Sequence, residues 1–432
     1  MLAVLRQRGF ALLWLAGLVS QLGDWALFIA LPFWVYERTG SVPATGVTLA
    51  LYNVPRLLLS PVAGVLVDRC DRRRTLITAD LCSAALLLPL LLASSPVGVP
   101  VLPVVYAVVF AQACVVHVVG PASGALVPLV VAAPQLVAAN AFTTLTGGVA
   151  RLVGPSLGGA LLGLAGFDAV VVVDVASFLV SAALVALVAV RPATAAPAAA
   201  VDPPAPLRPA GHAHPTGSPG TGVGPHPMHL WADLGQGFRL IAGVRRLRVV
   251  LCAGGLVMVG YGAVTVLLAA FVRDVLGGGA LGFGGLATAQ GVGTLLGSAL
   301  VAQAGSAVRP GRLFALSLGV TGLALLATFN APALALALPG MALAGGGIAG
   351  STAGERTLLQ TAVPNRYVGR ILGAFGTSNG SFILVGMGAA SALAGPLGVV
   401  AALNLAAALY VAAAALALLW LPAPEPRGQP AQ

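Results

Sequence analysis

The chain contains no lysine, and its charged residues make up only 8% of the whole. A water-soluble domain needs roughly a quarter of its residues charged to cover its surface. That scarcity excludes most soluble enzymes and binding modules. Cysteine is scarce too: Cys70, Cys82, Cys114 and Cys252 lie in or beside apolar stretches, show no CxxC or Cys/His metal spacing, and read as reduced, apolar packing residues. No Walker sequence, HExxH or Ser/His/Asp arrangement is present, so no metal, cofactor or enzymatic chemistry is expected. His212, His214, His226 and His229 fall at irregular spacing among prolines and read as linker, not as a metal tract. What the chain has in abundance is apolar residues, 58% of 432, with a mean hydropathy of +0.98. Twelve membrane helices of about 20 residues would use nearly all of them.

Uncharged apolar windows fall near 10–36, 43–67, 75–94, 101–119, 141–166 and 169–190, and again near 249–272, 281–304, 312–329, 333–354, 371–393 and 398–420. The first is too long for a signal-peptide core and no small-residue cleavage site ends it, so it reads as a retained span. The fold class expected is an all-α membrane protein with twelve transmembrane helices in two six-helix pseudo-repeats, 1–190 and 249–421. Between them, 191–230 carries ten prolines among alanine and glycine and reads as a flexible linker. Residues 231–248 read as an amphipathic surface helix, because Trp231, Leu234, Phe238 and Ile241 recur at helical spacing with arginines around them. Residues 422–432 form a tail.

All 22 basic residues are arginine, and the net charge is +10. Arg38 and Arg273 fall on one side, Arg56 and Arg151 inside spans, and the other 18 on the opposite side. That asymmetry places both termini and the linker in the cytoplasm, so the charge reflects membrane topology and not nucleic-acid binding.

Spans two and three are joined by Gly64-Val-Leu-Val-Asp68-Arg69-Cys-Asp71-Arg72-Arg73-Arg74. Gly64 permits close helix approach, Asp68 can face a helix N-terminus, and Arg69, Arg72 and Arg73 can latch to acids across the interface between halves, with Glu355 and Arg356 at the end of span ten as partners. Further along stand Pro121-Ala122-x-x-Ala125-Leu-x-Pro128, Gln135-Leu136-x-x-Ala139-Asn140-Ala141, Gly154-Pro155-x-x-Gly158-Gly159, Asp174-x-x-Ser177-Phe178, Leu359-Gln360-x-x-Val363-Pro364 and Gly369-Arg370. Together these resemble the major facilitator superfamily, and within it the bacterial macrolide-efflux and enterobactin-exporter branch of drug:proton antiporters. The sequence departs from that pattern at Asp71, where the superfamily has glycine, at Ser123 and Leu129, and in lacking an arginine in span four. Gly154, Pro155, Gly158 and Gly159 resemble the antiporter signature; small-residue packing alone is the alternative reading.

A charged side chain at mid-membrane costs about 2.5–3.5 kcal/mol. Asp24, Arg56 and Arg151 lie roughly 15–21 Å from the cytoplasmic edge by helical rise. They form either a proton-coupling set, in which Asp24 alternates between an arginine and a proton, or a permanent ion pair. Asp80 and Asp174 lie nearer span ends and read as structural hydrogen-bonding groups.

The resemblance implies a small-molecule substrate held between the halves, with Trp25, Gln112, His117 and Tyr261 as candidate cavity residues. It also implies a proton as coupling ion, a monomer working in the bilayer of a bacterial cell membrane, and export of amphipathic compounds by alternating access. A dedicated metabolite or siderophore exporter is the alternative. A lipid-modifying enzyme would need an acid or histidine cluster at one membrane face, and none is visible in the sequence.

Overall fold

The computed structural model describes residues 2–68, 71–94, 100–132, 135–189, 227–304, 308–363 and 365–421. The linker, apart from the start of helix α6, and the C-terminal tail lie outside the described residues, as do Arg69 and the side chains at 56–68, including those of Arg56 and Asp68 and the Gly64 position. The helices are α1 (Arg8–Thr39), α2 (Val42–Asp68), α3 (Arg72–Ser94), α4 (Val101–Val130), α5 (Leu136–Ala186), α6 (Pro227–Gly243), α7 (Arg245–Ala270), α8 (Ala280–Ala304), α9 (Pro310–Phe329), α10 (Leu334–Thr361), α11 (Asn365–Leu397) and α12 (Val399–Trp420). No strand occurs among the described residues. Ten helices there are long and apolar enough to cross a membrane, so this is a multi-pass membrane protein.

At 51 residues, α5 is too long for a single span: at 1.5 Å per residue it would exceed a bilayer about twofold. It bends at Gly166, whose φ of 82° and ψ of 176° are open to glycine and strained for other residues. The limbs on either side of that bend meet α1 at the same level. Gly154 and Gly158 approach Trp25 and Ala26, and Asp174 and Ser177 approach Gly23. The two limbs therefore run side by side as two spans.

Helix pairing repeats between the halves. In the first, α1 packs on α5, α2 on α4, and α3 on α4 and α5; in the second, α7 packs on α11 and α12, α8 on α10, and α9 on α10 and α12. The halves meet through α5 with α8 and α2 with α11, which are equivalent pairs under the same correspondence.

Two local details differ from the sequence expectation. The surface helix runs Pro227–Gly243 and stops at Val244, which is extended, so Arg245, Arg246 and Arg248 belong to the first turn of α7. It packs against the second half: a Cβ at Gly237 would lie 2.6 Å from the Arg370 carbonyl of α11, and Ile241 is buried. At the head of α3, Asp71 accepts the Arg74 amide proton at 2.8 Å, an N-cap that glycine would not supply.

Candidate functional site

Three carboxylates converge inside the first half. Asp24 on α1 lies within electrostatic reach of Asp80 on α3, and Asp174 on the second limb of α5 within reach of Asp24. Asp174 is 1% exposed; the Ser177 hydroxyl donates to its carbonyl at 2.8 Å and to its Oδ1 at 3.3 Å, while its Oδ2 has no hydrogen-bond partner. Asp80, 4% exposed, accepts the Ser181 hydroxyl at 2.6 Å. A Cβ at Gly23 would collide with Asp174 Oδ1, so glycine is what lets this carboxylate press against α1 beside Asp24. Tyr52 of α2 lies within electrostatic reach of Asp24 and Asp174. Sequence reasoning found Asp24 but set Asp80 and Asp174 apart. The available signal was Asp174, Ser177 and Ser181 recurring on one helical face.

Arg151 does not pair with Asp24. Its guanidinium lies 5.1 Å from the centre of the Trp25 ring, and no carboxylate comes within ion-pair distance of it among the described residues. Trp25 meets Phe28 edge-on at 5.4 Å, and Phe28 meets Tyr52 at 5.3 Å. The other cavity candidates are scattered: Gln112 is buried with both amide atoms lacking a hydrogen-bond partner, His117 is half-buried on the same helix, and Tyr261 is 40% exposed on α7.

The Gly154-Pro155-x-x-Gly158-Gly159 stretch presents two faces. Gly154 and Gly158 press on α1, within the first half. Gly159 presses on α8, in the second: a Cβ there would lie 2.8 Å from the Ala280 carbonyl oxygen and from Gly284 Cα. One turn below, the hydroxyls of Ser156 and Thr288 hydrogen-bond across the same contact. Adjacent glycines thus let one helix touch two neighbours that belong to different halves.

Of the expected latch side chains that are described, Arg73 bonds within its own half. Arg73 donates to the Val185 carbonyl at 3.2 Å and to that of Ala186, tying the head of α3 to the end of α5. Glu355 faces Gly254 of α7 within its own half, with Oε1 3.8 Å from a Cβ built there; Arg72 is half-buried and Arg356 exposed. Among the described residues, no ion pair joins these groups across the halves.

A tie the sequence did not reveal joins the halves at the opposite face. The Tyr36 hydroxyl donates to Asp274, and Arg273 donates to the carbonyls of Tyr36 at 3.1 Å and Glu37 at 3.3 Å while lying over the Tyr36 ring. Tyr36 and Glu37 end α1; Arg273 and Asp274 sit on the π-helical turn Phe271–Val275 that continues α7, so the bonds run in both directions, Tyr36 donating to Asp274 and Arg273 donating to the α1 carbonyls. Below this tie the halves touch through Phe33 and Phe283, Gly46 and Ser391, Gly159 and Gly284, and Leu152 and Gly291.

The family model described as Major Facilitator Superfamily matches residues 13–244, more than half of the chain. The chain belongs to the major facilitator superfamily. A second model, described as Transmembrane secretion effector, matches residues 227–429 of this transporter. Over 179 residues the transporter is 28% identical to Macrolide efflux protein A of Streptococcus pyogenes, a match covering 41% of this chain and 44% of that protein. The match thus spans less than half the length of that relative. Two solved structures share the fold across nearly the whole chain. One is a bacterial homologue of the iron transporter ferroportin in an inward-facing state, at 16% identity, TM-score 0.69, covering 96% of this chain and 98% of that one. The other is a bacterial homologue of the human lysosomal transporter Spinster, inward-facing and unoccupied, at 15% identity, TM-score 0.66, with the same coverage.

Proposed function

We propose that this transporter exports amphipathic small molecules from a bacterial cytoplasm in exchange for protons, working as a monomer with its arginine-rich face and both termini inside the cell. The observation that carries the reading is the convergence of Asp24, Asp80 and Asp174 in the membrane, with no cation paired to them among the described residues. Like-charged carboxylates in a poorly hydrated interior repel strongly, so taking up or losing one proton changes the packing of α1 against both limbs of α5. Asp24, whose residue surface is half-buried where those of Asp80 and Asp174 are buried, is the proton carrier.

The first of those limbs holds the crossing to α8, so a change in α1 packing reaches the contact between halves at Gly159 and Gly284. With the Tyr36–Asp274 tie closed, the binding space opens to the cytoplasm. Proton entry from outside and substrate exit require that tie to part. Macrolide efflux by a relative, as its name states, supports export over uptake.

The test is efflux of a panel of macrolides and dyes from cells lacking their own exporters, comparing the intact protein with Asp24→Asn, with and without a proton uncoupler. Export that falls with both treatments supports the reading. Uncoupler-insensitive export by both proteins rejects proton coupling, and export of one metabolite class alone would recast the protein as a dedicated carrier.

A further inference from the structure

We infer that the substrate carries an anionic group, held by Arg151, attached to an aromatic or flat apolar body that lies against Trp25, Phe28 and Tyr52. This rests on the reading above that the space between the halves is the transport path, and it names the class of molecule that enters there.

The direction in which Arg151 points follows from the contacts of its own helix. At about 100° per residue, Gly147, Gly154 and Gly158 share the face of α5 that touches Gln21, Trp25 and Ala26 of α1. Leu152, Ser156 and Gly159 share the face that touches α8. Exposed Val149, Val153 and Leu164 mark a third, lipid-facing side. Arg151 projects between the first two faces, nearly opposite the third. It is therefore solvent-reachable toward the space between the halves and not toward lipid.

An arginine in a span normally finds a carboxylate, since leaving it unpaired at mid-membrane is costly. Asp24 is one residue from Trp25, yet it gathers with Asp80 and Asp174 and leaves the guanidinium to the indole. With its guanidinium over the Trp25 ring, Arg151 has no hydrogen bond or ion pair among the described residues, and a guanidinium held on an aromatic face can still present its N–H groups to a planar carboxylate. The Gln21 amide lies 3.6 Å from a Cβ built at Gly147, one helical turn from Arg151, and adds a neutral hydrogen-bonding group beside the charge. The edge-to-face run Trp25–Phe28–Tyr52 supplies an apolar wall continuous with the cation.

The test uses purified protein in nanodiscs and three probes of similar shape: 1-pyrenebutyrate, neutral 1-pyrenebutanol and cationic 1-pyrenebutylamine, with binding read from tryptophan-to-pyrene energy transfer. Pyrenebutyrate is expected to bind at least about tenfold tighter than the alcohol, the step a charge-assisted hydrogen-bonded pair supplies. Arg151→Gln should erase that margin by weakening the butyrate far more than the alcohol, and Arg151→Lys should restore part of it; thermal unfolding of each variant checks folding. Equal binding of all three probes, preference for the amine, no binding of any, or a margin that survives Arg151→Gln would overturn the inference. Uptake of the same probes into everted vesicles separates the two readings. Arg151-dependent binding without transport keeps the anion site and rejects the transport role, whereas transport indifferent to Arg151 does the reverse.

Discussion

The Tyr36 hydroxyl, at the end of the first helix, hydrogen-bonds the carboxylate of Asp274, 238 residues away in the other half of the molecule. With Arg273 lying over the same ring and donating to the same turn of backbone, this tie closes the face that carries few arginines. A hydrogen bond to a charged group contributes about 1.5–3 kcal/mol, enough to shift a two-state equilibrium roughly tenfold or more. Tyr36→Phe and Asp274→Ala are therefore expected to favour opening of that face. Ser391→Cys, placed against Gly46 in a background without other cysteines, should react several-fold faster with an externally added impermeant maleimide when either change is present.

The crossing of α5 and α8 predicts a graded response to side-chain size. Gly159→Ala places a methyl where backbone atoms already stand at 2.8 Å and should lower transport several-fold, and Gly159→Leu should abolish it while membrane expression persists. Gly148, with nothing within 4 Å of a built Cβ, provides the control: Gly148→Ala should transport normally in the same efflux assay.

Asp71 replaces the glycine of the superfamily pattern and caps α3. Removing an N-cap costs about 1 kcal/mol, and glycine at that position costs only a few tenths. Asp71→Ala should accordingly lower the thermal unfolding midpoint of the purified protein measurably, and Asp71→Gly much less.

Much of the fold was legible in the sequence because membrane helices announce themselves by composition and length. Even the bend in α5 falls at Gly166, where one apolar window ends. The site was legible only in part. Asp24 and Arg151 stand out because charge inside a span is costly, but which of them meet depends on how α1, α3 and the limbs of α5 rotate against one another. Gly23 decides that Asp174 faces α1, and Gly154 decides that Trp25 comes up under Arg151. No window of sequence contains either relationship. The Tyr36–Asp274 tie was hidden for a related reason, since both residues end spans, where charge and aromatic rings are ordinary.

Gly23→Ala tests the carboxylate arrangement directly. Its methyl would meet Asp174 Oδ1, so the variant should lose transport although it removes no ionisable group. Ala30→Gly, an equally small change at another buried position on α1, should retain most of it; equal loss in both would point to general destabilisation of that helix.

The measurement that bears most directly on the account is substrate uptake into everted membrane vesicles driven by an imposed inside-acid pH gradient, with no other energy source. The account predicts accumulation that disappears on adding an uncoupler and that is lost in Asp24→Asn expressed at normal levels. Accumulation that persists in Asp24→Asn, or that ignores the gradient altogether, would contradict it.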